Sequence, residues 1–190
     1  MDQDLRIESV DRAYRDHAED VYRVAYAILR DPDGAVDATH EAFARAFERW
    51  EQYDANRPIR AWLHGIVAHV ALDALRRRRV RQLAAPALGR IEVARRDGQA
   101  AGGDPSLEVI RRQIVDEGLA GLKPDARAAI VLRHYYGYDY AEIAGFLRTS
   151  PGNVGSILSR AHATLRERLA AIAAADAPAT PPSTAREVLR

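Results

Sequence analysis

In 190 residues the chain carries 47% hydrophobic side chains, enough for one ordinary domain or two small ones with real cores. With no cysteine, disulfides, thiol catalysis and thiolate metal sites are excluded, and a reducing compartment fits. The formal charge of +1 hides an asymmetry: residues 1–54 hold 7 Arg against 14 Asp and Glu, a net −7, whereas residues 55–83 hold 7 Arg against Asp73 alone, a net +6. Two partners of opposite charge are implied rather than a uniform polyanion coat.

Tyr14, His17, Val21, Val24 and Ile28 recur at helical intervals, and Asp31-Pro32-Asp33-Gly34 punctuates them as a turn. Val36, Thr39, Phe43, Phe47 and Trp50 trace a second stripe, leaving Asp37 and Glu41 on a solvated flank. Gln52 to Pro58 is polar and closed by a proline that discourages helix at Arg57, so it reads as a short exposed loop. From Ile59 onward Leu63, Ile66, Val70 and Ala74 predict a third helix, which runs out through Arg76, Arg77, Arg78, Arg79 and Arg81.

Residues 84–105 lose the periodicity and contain two Pro and four Gly, the composition of a flexible linker. Leu107, Ile110, Ile114 and Leu119 open a second helical set, Pro124 stands where a new helix begins, and Gly137 is placed to end it. Residues 139–169 then have helix-turn-helix spacing. Ile143, Ala144 and Leu147 bury the first helix, Val154, Ile157 and Leu158 bury the second, and Arg148-Thr149-Ser150 joins them. Asp139 with Glu142 predicts a capping box, and Ser150 before Pro151 an N-cap with a first-turn proline. The free face of the second helix offers Asn153, Ser156 and Arg160 to base edges or phosphates, and its amino end offers unpaired N–H groups. The last stretch, rich in Pro, Ala and Thr, is expected to be a disordered tail.

The expectation is therefore an all-α chain of two small helical domains, spanning residues 10–83 and 106–170, with a linker at 84–105 and a tail at 171–190. No apolar run approaches the roughly 20 residues a bilayer requires, and the acidic amino terminus lacks the apolar core of a signal peptide, so the predicted location is cytoplasmic with no membrane partner.

Four segments carry a family resemblance: DATHEAFARAFERW at 37–50, RPIRAWLHGIVAHVALDALRRRRV at 57–80, LAGLKPDARAAIVLRHYYGYDYAEIAGFL at 119–147, and V-x-S-x-L-x-R-A at 154–161. Over roughly residues 12–169 the chain resembles the extracytoplasmic-function (ECF, group IV) sigma factors of bacterial RNA polymerase. The resemblance implies a sigma region 2-like domain followed by a region 4-like domain with the helix-turn-helix, acting as a promoter-specificity subunit rather than an enzyme, with no cofactor and no metal. It implies that Asp37, His40 and Glu41 meet the clamp helices of the polymerase β′ subunit, with the β flap as a further polymerase contact. Tyr53, Asn56, Arg57, Arg60, Trp62, His69 and Arg76 to Arg79 then serve the −10 element, including capture of a flipped base, while Ser150, Gly152, Asn153, Ser156 and Arg160 serve the −35 element. An anti-sigma partner is implied as well.

Four positions depart from the family pattern: His69 stands where Asn is common, Arg148 where the turn usually has Gly, and Gly155 and Ile157 where basic residues are usual. Weak dependence on the −35 element follows as an expectation. A helix-turn-helix regulator that never joins polymerase is the competing reading, but it leaves the acidic helix without a role. An enzyme is disfavoured: His40-Glu41 resembles the start of a zinc-protease motif, yet the position of its second His is Ala44, and His64 and His69, five apart, do not share a helix face.

Overall fold

The computed structural model describes residues 3–84 and 116–175. Among them the secondary structure is helical, without strands: α1 (Gln3–Leu29), α2 (Pro32–Glu48), a 3₁₀ turn (Trp50–Gln52), α3 (Ile59–Ala84), a helical stretch at 116–120, α4 (Pro124–His134), α5 (Tyr140–Leu147) and α6 (Pro151–Ala175). The expected linker, the set Leu107, Ile110 and Ile114, and the tail beyond 175 lie outside the described residues.

The first domain packs α1, α2 and α3 together. Helix α1 buries Ala13, Val21, Val24, Ala25 and Ile28, and α2 answers with Ala35, Ala38, Thr39, Ala42, Phe43 and Ala46. Alanines at the contact let the two helix axes approach closely. The turn between them is tighter than the sequence reading expected. Arg30 alone takes a left-handed φ of 52°, Asp31 is the N-cap of α2, and Pro32, Asp33 and Gly34 already form its first turn. The reason is that proline fits the first helical position, where no N–H is needed, and Asp33 favours the positive end of the helix dipole. Val36, expected in the apolar stripe, is 43% exposed.

Helix α3 buries the expected Leu63, Ile66 and Val70, and also His64, Val67, Ala68, Ala71 and Leu72. Those additions form a second buried face because α3 lies between the first domain and the second, which packs on it through α4 and α5. Its last turns, Arg76 to Arg79 and Arg81, project into solvent.

In the second domain α4 ends at His134, and Gly137, at φ 76°, turns the chain back so that the Tyr138 N–H reaches the Leu132 carbonyl at 3.1 Å. The capping box of α5 is fully formed: the Glu142 N–H donates to Asp139 at 2.8 Å and the Asp139 N–H to the Glu142 carboxylate at 2.8 Å. Arg148 closes α5 in the left-handed conformation, φ 51° and ψ 52°. Helix α6 buries Val154, Leu158 and Ala161 and continues to Ala175, past the boundary expected at 170. Its end is nearly all alanine, the best helix former. The stretch 116–120 rests on α6, where a Cβ at Gly118 would lie 3.3 Å from Leu165. No helix among the described residues is long and apolar enough to cross a membrane.

Candidate nucleic-acid interface

The loop from Tyr53 to Pro58 is prefolded. The Tyr53 hydroxyl donates to the Arg57 carbonyl at 2.8 Å, and the Arg57 N–H to the Asp54 carbonyl at 2.9 Å. Asp54 receives both the Asn56 N–H at 3.0 Å and the Asn56 side-chain amide at 2.9 Å, and these two bonds hold its carboxyl below the usual range. Asn56 and Arg57 are therefore exposed on an ordered loop, with the Asn56 amide already oriented.

Beneath the loop lies an aromatic group. Trp62 packs against Tyr53 at 5.1 Å and edge-on against Trp50 at 5.9 Å, while Trp50 and Tyr53 are 5.5 Å apart. Trp62 and Tyr53 are half-buried, so each combines packing with partial exposure. Trp50, which sequence reasoning placed only in a packing stripe, belongs to this group through the 3₁₀ turn.

Along α3 the predicted phosphate contacts are solvent-exposed but unequal. Arg76 pairs with Asp73 at 2.8 Å and Arg78 approaches Asp31 at 3.9 Å, whereas Arg77 and Arg79 have no acidic partner among the described residues. Arg60 lies over the Tyr136 ring at 5.9 Å. His69 is half-buried against α5, its Nε2 without a hydrogen-bond partner, and burial followed by the nearby Arg148 lowers its pKa. The structure thus separates His69 from the exposed loop with which the sequence grouped it.

In the helix-turn-helix, Ser150 accepts the Asn153 N–H at 3.2 Å, and the Asn153 amide donates to the Thr149 hydroxyl at 2.7 Å. The Ser156 hydroxyl donates to the Gly152 carbonyl and Arg160 Nε to the Ser156 carbonyl, each at 3.2 Å. Asn153, Ser156 and Arg160 are exposed on one stripe spanning about 10 Å of helix, or roughly three base pairs. Nothing lies within 4 Å of a Cβ built at Gly152, so the amino end of α6 is open to a phosphate. Gly155 instead faces Tyr140 of α5, 3.5 Å from a built Cβ, and lies off that stripe.

On the opposite flank Asp37, His40 and Glu41 are all exposed. Glu41 holds Arg45 at 2.7 Å, and His40 stacks on Tyr14 at 6.4 Å. Asp37 and Glu41 line a cleft whose other wall carries Arg77, Arg78 and Arg81 of α3. Acid and base are therefore apposed across one groove, an arrangement the linear charge count could not reveal. Arg127, Tyr136 and Tyr138 were also missed. The only signal in the sequence was the aromatic cluster between His134 and Tyr140.

Residues 13–81 match the family model for Sigma-70 region 2, and residues 112–165 match that for Sigma-70, region 4. The chain is similar to the ECF RNA polymerase sigma factor SigE of Mycolicibacterium smegmatis, 34% identical over 85% of this chain and 62% of that protein. It thus spans less than two thirds of that relative's length. It is similar to the ECF RNA polymerase sigma factor SigM of Mycobacterium tuberculosis, 30% identical over 84% of this chain and 76% of that protein. Among solved structures, the fold is similar to the sigma factor RpoE in complex with the anti-sigma factor NepR from Bartonella quintana, with TM-score 0.62, 20% identity, and 86% and 98% of the two chains covered. CnrH in complex with the cytosolic domain of CnrY gives TM-score 0.55 at 23% identity, over 92% and 98%.

Proposed function

This chain belongs to the extracytoplasmic-function sigma factors, and on that premise we propose that it joins core RNA polymerase, recognises −10 and −35 promoter elements and directs initiation at a specialised gene set. The observation that carries the reading is the presence, in order on one chain, of a region 2 match and a region 4 match. Its working units run over 10–83 and 106–170.

Each surface has a chemical task. Asp37, His40 and Glu41 on α2 meet the basic side of the β′ clamp helices. The ordered loop with Asn56 and Arg57, together with the Tyr53 and Trp62 edges, receives a base flipped from the non-template strand. Flipping costs a few kcal/mol of stacking, and one aromatic platform returns roughly 1–3 kcal/mol per base. Arg60 and Arg76 to Arg79 follow the phosphates, and His69 joins them once α5 no longer covers it. Ser150, Gly152, Asn153, Ser156 and Arg160 dock α6 in the major groove. Chemistry stays with the polymerase, so the chain itself is not an enzyme.

The described RpoE–NepR complex, similar in fold, supports an anti-sigma partner for this chain too. Polymerase as partner places the chain in the cytoplasm. With Gly155 and Ile157 supplying no cations to α6, −35 dependence is weak, and scrambling the −35 half of a cognate promoter leaves most of the transcript. The primary test reconstitutes the full chain with core polymerase and maps transcript starts on genomic DNA. A shared motif upstream of the starts is expected. Binding to DNA without co-elution with polymerase would instead make the chain a free-standing regulator.

A further inference from the structure

His134 and His162 lie 28 positions apart in the sequence, and the fold of the second domain brings them together. His134 is the last residue of α4 and His162 stands near the middle of α6. The two helices pack on each other, with Leu132 on the one and Leu158 and Ala161 on the other buried. Above that apolar contact both rings are exposed, inclined at 63° with centroids 5.0 Å apart, and Nε2 faces Nε2 at 2.8 Å.

As a hydrogen bond, this contact needs one neutral ring to donate its Nε2–H into the lone pair of the other. If the donor ring instead carries its proton on Nδ1, both rings stay neutral and two Nε2 lone pairs point at one place, which is how imidazole binds a metal. Zinc–nitrogen bonds of 2.0–2.1 Å at a tetrahedral angle set the two nitrogens about 3.3 Å apart, so the pair has to open by only about 0.5 Å. Two exposed side chains supply that by a small rotation. Among the described residues no third His, Asp or Glu completes a set around them, so water fills the remaining positions of an open site. The surroundings suit a cation. The carboxyl end of α4, where His134 sits, is the negative end of its dipole. The neighbouring Arg133 is engaged elsewhere, on the Tyr138 carbonyl at 2.9 Å and over the Tyr140 ring at 5.4 Å. Imidazole nitrogens select zinc, copper or nickel over magnesium or calcium.

We propose that His134 and His162 form a two-histidine site for a divalent transition-metal ion of the zinc class, which staples the end of α4 to the middle of α6. His162 lies about two and a half turns beyond Asn153, on the opposite side of the helix. The ion therefore leaves the stripe of Asn153, Ser156 and Arg160 open while fixing the helix that carries it. The site depends only on the packing of the second domain and stands whether or not the chain joins polymerase.

Titration calorimetry of the full chain with Zn²⁺, with Mg²⁺ as the control, tests the site. One zinc per chain is expected, with no binding of magnesium. His134→Gln and His162→Gln, each at an exposed position, are expected to keep the helical circular dichroism and to bind zinc at least tenfold more weakly. Equal zinc affinity in the native chain and both variants puts the ion on other side chains and overturns the site. Absence of zinc binding overturns it too, and leaves the pair as a hydrogen bond alone. The staple has its own readout in amide hydrogen exchange, since an ion tying α4 to α6 suppresses local opening. Zinc is expected to slow exchange in the last turn of α4 at least tenfold in the native chain and not in His162→Gln. Equal exchange with and without saturating zinc overturns the staple.

Discussion

Arg148 occupies the left-handed conformation that glycine adopts freely, at φ 51° and ψ 52°. An L-residue there carries a steric cost of about 1 kcal/mol relative to glycine. Arg148→Gly is accordingly expected to raise stability by about 1 kcal/mol, measured by urea denaturation; an unchanged midpoint would mean that contacts of the Arg148 side chain already offset the strain. His64 gives a pH-dependent counterpart. Burial first, then the Arg60 charge and then His17 hold its pKa at about 3, and its Nε2 lies buried without a partner while Nδ1 meets the Tyr138 hydroxyl. The unfolded chain binds a proton below about pH 6.5 that the folded chain refuses, so this contribution to stability is intact above that pH and is lost as pH falls toward 3. Its size is on the order of 4 kcal/mol. His64→Gln should remove it, which a comparison of the two urea midpoints at pH 7 and pH 4 would read directly; the same pH dependence in both proteins would count against His64 as the source.

At the level of elements, caps and turns are local and periodicity is not enough. The boundaries of α5 and α6 were legible because Asp139, Glu142, Ser150 and Pro151 satisfy neighbouring N–H groups by themselves. Asp139→Ala should cost about 1 kcal/mol in thermal denaturation, since it orphans the Glu142 N–H while the bond from the residue-139 N–H to the Glu142 carboxylate survives. The exposure of Asn153, Ser156 and Arg160 was legible for the same reason: three apolar partners at helical spacing leave one face over. The second buried face of α3 was not legible. His64 is covered by Tyr138, 74 positions away, and no short window contains that contact. The turn at 31–34 was misread because proline and glycine usually punctuate, whereas Pro32 here begins a helix. Gly155 is a case where geometry changes the meaning of a substitution. It faces Tyr140 with ordinary contact distance available, so Gly155→Ala should stabilise α6 by about 0.5–1 kcal/mol, visible as a higher melting temperature, without touching the exposed stripe of Asn153, Ser156 and Arg160.

Across the whole molecule the asymmetry of charge becomes a division of surfaces that can be tested separately. Asp37 and Glu41 are exposed on the rim of the cleft opposite Arg77, Arg78 and Arg81, so Asp37→Asn with Glu41→Gln, which keeps their size and adds no cation to the groove, should leave helical circular dichroism unchanged and abolish co-elution with core polymerase; retained co-elution would remove α2 from the polymerase interface. The arginine end of α3 obeys a different law, because DNA affinity gained by neutralising phosphates comes from released counterions and weakens with salt. Exposed pairs such as Arg76 with Asp73 at 2.8 Å and Arg78 with Asp31 at 3.9 Å are worth at most about 1 kcal/mol, so phosphate can displace the carboxylates. All four arginines from 76 to 79 then contribute, and log affinity for a forked promoter should fall with log salt with a slope of about −4. Arg77→Ala with Arg79→Ala, which removes the two cations lacking an acidic partner among the described residues, should bring that slope to about −2 while leaving polymerase co-elution unchanged. An unaltered slope would mean that the basic end of α3 faces its acidic neighbours across the cleft and not the phosphates.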